Sequence, residues 1–227
     1  MIDKTVDSTE TALAGIEDNS IILVSGFGDA GMPTELVEGV LDLGVRDLTI
    51  VSNNVGSGTG GLAALMKARR VRKMICSFPR TADSSVFDDL YRAGHIELEV
   101  VPQGTLAERM RAAGAGIGGF YTPTAYGTKL AEGKEQRLID GRPHVFETPL
   151  HGDVALVKAL KADRFGNLVY RKAARNFGPV MATAARLTVV QVSEIVPLGS
   201  LDPETVVTPG IFVNRVVAAS PAVGDAT

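Results

Sequence analysis

The sequence predicts an α/β protein with an open, mainly parallel sheet, helices on both faces of that sheet, and an antiparallel, strand-rich C-terminal part. Between residues 20 and 114, short apolar strand patterns alternate with amphipathic helical patterns. Repeated strand-helix units of this length form parallel sheets with right-handed crossovers. After residue 115 the segment GIGGFYTPTAYGT is typical of a loop, and alternating segments with polar turns follow it.

Apolar spacing and turn residues define the elements of the first part. The first helix begins after Pro33 and ends at Gly44, a residue that suits a left-handed helix end. The last helix begins at a capping box, Thr105-x-x-Glu108, and ends at Gly114. The predicted strands are residues 20–25, 47–51, 73–77 and 96–101, and two further helices lie near residues 62–70 and 86–93.

The second part continues with strands and one more helix. Its predicted elements are a strand at 153–161, the turn DRFGN at 163–167 with the returning segment LVYRK, a helix near 180–185, and strands at 188–195 and 211–217. We interpret residues 1–227 as one domain. Its parts are a parallel core at residues 1–115, a strand-rich portion at 116–218 and a tail at 219–227.

Composition and charge exclude several classes of protein. Of the 227 residues, 45% are hydrophobic and 22% are charged, as in ordinary globular proteins. The net charge of -3 argues against nucleic acid as a partner, because such binding relies on attraction to phosphates. No segment reaches the roughly 18 apolar residues of a membrane span, so we expect no membrane partner and a cytoplasmic location. The single cysteine, Cys76, lies in an apolar run and is interpreted as a buried structural thiol.

The stretch SIILVSGFGDAGMPTE at residues 20–35 raises the first functional question, because Gly26-x-Gly28-x-x-Gly31 has the letters of a dinucleotide fingerprint. A dinucleotide site needs an acidic residue at the end of the second strand, where this sequence has SNN. Its third glycine should lie inside the helix, but Pro33 places the helix start after the loop. A short loop with exposed N–H groups beside a helix start suits an anion or an oxyanion instead.

Polar residues follow each strand of the predicted parallel sheet. Because the carboxyl ends of parallel strands meet at one edge, these residues are expected to share a crevice with the glycine loop. The candidate substrate-binding residues at this edge are Ser52, Asn53, Asn54, Arg80 and Gln103.

No attacking side chain accompanies these candidates in the sequence. His95, His144 and His151 are scattered and lie in no nucleophile motif, and no metal-ligand cluster or P-loop is legible. The candidate residues are therefore mainly hydrogen-bond donors. We expect a partner to supply the attacking group.

Several segments resemble a single family. DNSIILVSGFGDAGMP is similar to the glycine signature of the small, A-type subunits of the class I CoA-transferases, which have a CoA-transferase or NagB-like fold. The similarity continues through DLTIVSNN, VPQGTLAERMRAAGAGIGGFYTPTAYGT, DVALVKALKADRFGNLVYRKAARNF and VVTPGIFV, and it covers residues 3–218. Ser25 departs from the family pattern, which usually has a second glycine there. Within the family, CSFPRTADSSVFDDLYRAGHIELEVVPQ and KAARNFGPVMA resemble the members that act on 3-oxoadipate, and acetoacetate-type relatives are the alternative.

The resemblance implies one half of a two-subunit enzyme, with a B-type CoA-transferase subunit as partner, coenzyme A as substrate carrier and no permanently bound cofactor. A glutamate in a Glu-Asn-Gly type motif of the B-type partner would attack the acyl-CoA thioester and give an acyl-glutamyl anhydride. CoA thiolate would then form a glutamyl-CoA thioester, which the acceptor acid resolves by the same steps in reverse. This sequence contains no Glu-Asn-Gly, so no catalytic nucleophile is expected in this chain.

The same resemblance suggests roles for the candidate residues. Ser52, Asn53, Asn54 and Gln103 would contact the acyl and carboxylate groups, and Gly114 to Gly119 with Tyr121 would line a channel or pack the core. Arg80 would pair with the second carboxylate of 3-oxoadipate or succinate, and a surface ion pair with Asp83 is the alternative. Contact with CoA or an oxyanion is assigned to Val24, Ser25, Gly26, Phe27, Gly28, Asp29, Ala30 and Gly31.

Two other classes of function stay open from the sequence. The first is a nicotinamide oxidoreductase, which the missing acidic residue after the second strand disfavours. The second is a non-catalytic anion-binding domain on a similar parallel sheet. Such a domain would gain no catalytic activity from a glutamate-bearing partner.

Overall fold

The structure, a computed structural model, describes residues 2–79 and 83–220. These residues form twelve β-strands and six α-helices. The strands are β1 (Thr5–Val6), β2 (Ile21–Val24), β3 (Leu48–Asn54), β4 (Val71–Phe78), β5 (Glu97–Val100), β6 (Phe120–Thr122), β7 (Gln136–Ile139), β8 (Arg142–Glu147), β9 (Gly152–Asp163), β10 (Leu168–Val169), β11 (Ala185–Val196) and β12 (Arg215–Ala218). The helices are α1 (Thr9–Leu13), α2 (Thr34–Leu43), α3 (Gly61–Lys67), α4 (Ser85–Arg92), α5 (Gln103–Gly114) and α6 (Gly178–Ala184).

Nine strands form one sheet in the order β1-β12-β11-β9-β2-β3-β4-β5, with β10 attached to β9. Every pair along this order is parallel, and β10 runs antiparallel to β9. The mainly parallel fold class predicted from the sequence is therefore confirmed. After β5 the chain returns to the other side of β2, so the strand order reverses between β2 and β9. Such a switch point is where open α/β sheets bind ligands.

Helices cover both faces of this sheet because successive side chains of each strand point to opposite faces. On one face, Ile50 of β3 packs in a core with residues of α1 to α4, such as Leu36 and Leu65. On the other face, the adjacent Val51 packs in a second core with residues of α5 and α6, such as Met110. Each strand therefore carries two buried faces, and its end lies between two layers of helices.

The antiparallel part is smaller than the sequence suggests. A separate three-stranded sheet, β6-β8-β7, is antiparallel, as predicted for the part after residue 115. In contrast, β9, β11 and β12 join the parallel sheet, and β9 pairs directly with the central β2. The alternating letters of DVALVKALK were misleading, because helices cover both faces of β9 and leave no solvent face.

One helix end and one helix start show which of the local sequence signals predicted the structure correctly. Gly44 ends α2 with φ 73°, the left-handed conformation that its sequence position predicts. The capping box at Thr105 is wrong: α5 begins at Gln103 after Pro102, and Thr105 is buried inside the first turn. The predicted strand at 211–217 is also shorter, because residues 210–212 form a 3-10 turn before β12.

Burial of Cys76 agrees with its interpretation as a structural thiol. It lies on β4 inside the core, and burial raises the pKa of its thiol to about 12. The thiol is therefore protonated at neutral pH and is no nucleophile. Within residues 2–79 and 83–220, no helix is both long and apolar enough to cross a membrane.

Candidate active site

The carboxyl edge of the parallel sheet collects the predicted site residues. The glycine loop follows β2, residues 52–54 end β3, and Gln103 begins α5 directly after β5. These strands belong to the same half of the sheet, and β2 lies at the switch point. Arg80, the remaining candidate, falls outside the described residues.

The glycine loop has a conformation that needs its glycines. Gly26, Gly28 and Gly31 have φ values of 129°, 59° and 77°, a region that side chains with a Cβ rarely adopt. The N–H of Phe27 donates to the carbonyl oxygen of Ala30 at 3.0 Å, which closes the loop into a tight turn. Proline at position 33 then precedes the first residue of α2.

The backbone N–H groups of the loop fall into two sets. Those of Ser25, Gly26 and Phe27 donate to acceptors inside the chain. No acceptor among the described residues is found for the N–H groups of the second set, which are Gly28, Asp29 and Gly31. Ala30 forms an isolated antiparallel bridge with Phe27 and is not counted with them. We refer to these three as the free loop amides. They are the part of the loop that can bind an anion or an oxyanion.

Val24 and Ser25 do not present their side chains to this site. Val24 is fully buried at the end of β2, and Ser25 is 1% exposed. The Ser25 hydroxyl donates to the Gly31 carbonyl oxygen at 2.8 Å and accepts from the Lys158 N–H at 3.1 Å. The residue that departs from the family pattern therefore ties the two ends of the loop together and fastens the loop to β9.

Asn53 is the centre of a side-chain network. Its Oδ1 accepts hydrogen bonds from Ser77 Oγ and from Gln103 Nε2, each at 2.7 Å. Since Oδ1 already has two donors, the amide Nδ2 must point the other way, and no described residue accepts from it. Asn53 and Gln103 thus form a fixed amide pair with N–H groups left for a carboxylate or a carbonyl oxygen. Ser77 was not singled out from the sequence, because nothing local marks its contact with β3.

The other two residues of the β3 end lie on the opposite face of the sheet from Asn53. Ser52 and Asn54 alternate with Asn53, so they share the face of Ile50. Asn54 Oδ1 accepts from the Gly56 N–H at 2.9 Å. Asn54 also lines a cavity of about 280 Å³ together with glycine-loop residues such as Gly28. The four candidates at β3 and α5 therefore form two separate groups.

Gly114, Gly119 and Tyr121 are explained by packing. A Cβ added at Gly114 would lie 2.2 Å from Thr183 Oγ1, and one at Gly119 would lie 2.2 Å from a ring carbon of Phe146. Tyr121 donates a hydrogen bond to Glu135 within the small sheet region. These contacts favour the core-packing alternative for this segment.

An ion-pair network holds α5, and with it Gln103, against the sheet edge. The carboxylate of Glu99 on β5 forms ion pairs with Lys73 Nζ at 2.8 Å and with Arg109 Nη1 of α5 at 2.9 Å. Burial raises the pKa of the Glu99 carboxyl, but the hydrogen bonds from Lys73 and Arg109 outweigh it and the pKa is lowered. The network therefore depends on a charged Glu99.

We expect Glu99→Gln to destabilise the fold at neutral pH. The lowered pKa means that the contribution of Glu99 is present above its unfolded pKa and is lost as pH falls through the folded value. Because the side chain is 34% exposed, solvent screening limits the loss to about 1 kcal/mol. Urea unfolding at pH 7 and at pH 3.5 measures it, and the difference from wild type should shrink at the lower pH. Glu97→Gln, whose partner is also Lys73 but which is 58% exposed, is the matched control and should change little. An equal loss at both pH values would contradict this role.

The fold and the site define a class of protein. The chain is an α/β protein whose parallel sheet carries neutral hydrogen-bond donors at its carboxyl edge. The sequence profile described as "Coenzyme A transferase" matches residues 6–219, so the chain belongs to the coenzyme A transferase family. The family that the quoted segments of the sequence resemble is therefore confirmed.

Known proteins resemble the chain over nearly its full length. The A-type subunit of the 3-oxoadipate CoA-transferase of Pseudomonas putida is 65% identical, with 98% of this chain and 96% of that protein aligned. The A-type subunit of a probable succinyl-CoA:3-ketoacid coenzyme A transferase of Bacillus subtilis is 47% identical, with 94% and 89% aligned. Among solved structures, the acyl-CoA transferase YdiF of Escherichia coli O157:H7, crystallised as a thioester complex with CoA, matches with a TM-score of 0.84 and 21% identity. That match covers 96% of this chain and 50% of YdiF, so the chain spans about half of YdiF's length, and the likeness shows the fold.

Proposed function

We propose that the chain is the A-type subunit of a two-subunit CoA-transferase that moves CoA between succinyl-CoA and a 3-oxo acid, with 3-oxoadipate as that acid. The observation that carries the proposal is a set of unengaged donors at the carboxyl edge of the parallel sheet. The free loop amides and the Asn53–Gln103 pair can bind charge. A B-type partner with the reactive glutamate completes the site, and the expected compartment is the cytoplasm.

The reaction proceeds through covalent intermediates on the partner. The glutamate carboxylate of the B-type partner attacks the thioester carbonyl of succinyl-CoA, and the C–S bond breaks to give an acyl-glutamyl anhydride and CoA thiolate. The thiolate attacks the glutamyl carbonyl, releases succinate and leaves a glutamyl-CoA thioester. The 3-oxo acid then repeats both steps in reverse, so CoA leaves on the new acid. Splitting the exchange in this way replaces one difficult step by easier ones.

This chain contributes charge stabilisation and positioning. Each attack creates a tetrahedral oxyanion, and the free loop amides are the donors that stabilise it. Asn53 Nδ2 and the remaining Gln103 donors bind the acyl carboxylate or carbonyl oxygen of the acid. Because Ser77 and Gln103 fix the Asn53 amide, its donors are oriented before substrate arrives.

The acid substrate is tested by comparing two acceptors with one enzyme. With the B-type partner present and succinyl-CoA as donor, we expect a higher specificity constant for 3-oxoadipate than for acetoacetate. The reverse order would favour the alternative, a 3-oxoacid CoA-transferase, to which the 47% identity with the Bacillus subtilis protein also points. Transfer to neither acid would contradict the proposed function.

Arg80 provides a residue-level test of the same choice. Both 3-oxoadipate and succinate keep a second carboxylate when the first is joined to CoA, and burying it unpaired would be costly. We expect Arg80→Gly to lower the specificity constant for 3-oxoadipate by about tenfold or more, the loss of one charge-assisted contact, and to spare acetoacetate. Arg92→Gly, a substitution in the last turn of α4, is the control. Equal losses on both acids would contradict a role of Arg80 in binding the second carboxylate and would favour the alternative, a surface ion pair with Asp83.

A further inference from the structure

Asn176 joins the two ends of the glycine loop from a position 150 residues away in the sequence. Its Oδ1 accepts from the Gly26 N–H at 3.0 Å, and its Nδ2 donates to the Ala30 carbonyl oxygen at 2.8 Å. The same side chain also binds its own segment, because Oδ1 accepts from the Phe177 N–H at 2.7 Å and Nδ2 donates to the Ala174 carbonyl oxygen at 3.1 Å. Both ends of one amide are therefore used to hold a loop of a different part of the chain.

The backbone of Asn176 is strained, and its side-chain hydrogen bonds hold the residue in this conformation. Its φ and ψ are 22° and -111°, a combination that residues with a Cβ rarely adopt. Conformations of this kind persist where the surrounding structure over-determines them, and they cluster at active sites. Glycine would adopt this conformation with less strain but could make none of these side-chain hydrogen bonds.

The segment of Asn176 also lies in direct contact with the loop backbone. A Cβ added at Gly31 would lie 2.1 Å from the Ala174 carbonyl oxygen and 2.8 Å from Asn176 Nδ2. The shape of the loop thus depends on residues 174–176 as well as on its own glycines. Gly31 is buried, yet its N–H has no acceptor among the described residues. Buried N–H groups without a partner are rare, so a substrate atom or water is expected there.

We propose that Asn176 is a positioning residue that aims the Gly31 N–H at the reacting carbonyl. The Ala30 carbonyl and the Gly31 N–H belong to one planar trans peptide, in which these two groups point in opposite directions. The hydrogen bond from Asn176 Nδ2 to the Ala30 oxygen, together with the bond that this oxygen accepts from the Phe27 N–H, therefore fixes the direction of the Gly31 N–H. Oxyanion stabilisation depends on such fixed dipoles. This inference rests on the proposed transferase function.

Two substitutions separate positioning from a structural role in the turn. Asn176→Gly suits the backbone and removes the side-chain bonds, so we expect an assembled enzyme of unchanged melting temperature whose kcat falls about 10- to 100-fold with KM little changed. Asn176→Asp keeps the acceptor for the Gly26 N–H but places a carboxylate oxygen against the Ala30 carbonyl. Protonation of that carboxyl restores a donor, so the ratio of mutant to wild-type kcat should rise as pH is lowered from 8 to 5.

Asn19 offers matched controls, since it is another asparagine with positive φ, at 65°, and it lies at the other end of β2. Asn19→Gly and Asn19→Asp should leave kcat and its pH dependence unchanged. Wild-type kcat for Asn176→Gly would overturn the inference, as would a pH-independent kcat ratio for Asn176→Asp or a loss of activity that follows loss of assembly. Absence of transfer from succinyl-CoA in the wild-type assembly would instead reject the proposed function, so the two failures are distinguishable.

Discussion

The chain on its own is expected to transfer no CoA above background, and addition of the B-type partner is expected to start the exchange between succinyl-CoA and 3-oxoadipate. The physical reason is that this sequence contains no Glu-Asn-Gly, so the attacking carboxylate is expected on the B-type partner, while the carboxyl edge of this chain supplies N–H donors and amides. Donors can lower a barrier, yet they cannot form the covalent intermediates of the proposed mechanism. Steady-state transfer by each of the two chains separately and by their mixture measures the effect.

Two glutamates of α2 lie near the glycine loop and provide the controls for this expectation. The Glu35 carboxylate accepts from Gln191 Nε2 and from the Ser220 N–H and hydroxyl, so it is already engaged. Glu38 lines the cavity beside Asn54, as does Asp29 of the glycine loop, and Glu38 is the carboxylate tested as a substitute for the partner's. Glu38→Gln in the assembled enzyme should retain kcat. Turnover by the purified chain alone, abolished by Glu38→Gln, would contradict the division of labour between the two chains.

Loss of one amide of the Asn53–Gln103 pair is expected to lower kcat about 100-fold, the cost of one donor aimed at developing charge. Asn53→Ala removes the outward Nδ2 and the acceptor that receives Ser77 and Gln103. Gln103→Ala removes its own donors and frees one lone pair of Asn53. Because one residue orients the other, the fold loss in kcat of the double variant should be smaller than the product of the fold losses of the two single variants. Steady-state kinetics of the three reconstituted variants measure this coupling.

Stability measurements distinguish this role from a packing role. Asn53→Asp keeps the oxygen that accepts from Ser77 and Gln103, so the network survives while the outward donor is lost. We expect it to fold and assemble and to lose kcat as Asn53→Ala does. Gln136→Ala, on the exposed small sheet, is the matched amide control and should be neutral. Variants of Asn53 and Gln103 that fail to assemble, with wild-type kcat in the assembled fraction, would show that the pair only supports the fold.

The local signals of the sequence were sufficient for the central strands, for α2 and for the glycine loop. Apolar spacing and turn residues act over a few positions, so β2, β3 and the αL end of α2 at Gly44 follow from neighbouring letters. The meeting of the candidate residues at the carboxyl edge followed as well, since parallel strands end at one edge. The sequence also indicated that the glycine loop is not a dinucleotide fingerprint. The residues that end β3 include no acidic side chain, and Pro33 places the helix start after the loop.

What the sequence could not provide depends on contacts between distant segments. The place of β9 beside β2 is set by pairing across about 130 residues, which no local period encodes. The same holds for Ser77 against Asn53 and for Asn176 against the loop. Which side of the sheet each β3 side chain faces requires the register, so the separation of Asn53 from Ser52 and Asn54 emerged with the fold.

The most direct test of the proposal is to identify which of the two chains carries the covalent intermediate. The proposal places it on a glutamate of the B-type partner. Borohydride added during turnover with succinyl-CoA reduces a glutamyl-CoA thioester to an alcohol, and peptide mass mapping of both chains locates the modified residue. We expect modification of a glutamate of the B-type partner and none in this chain. Modification of Glu35 or Glu38 would place the attacking carboxylate in this chain and overturn the proposed mechanism.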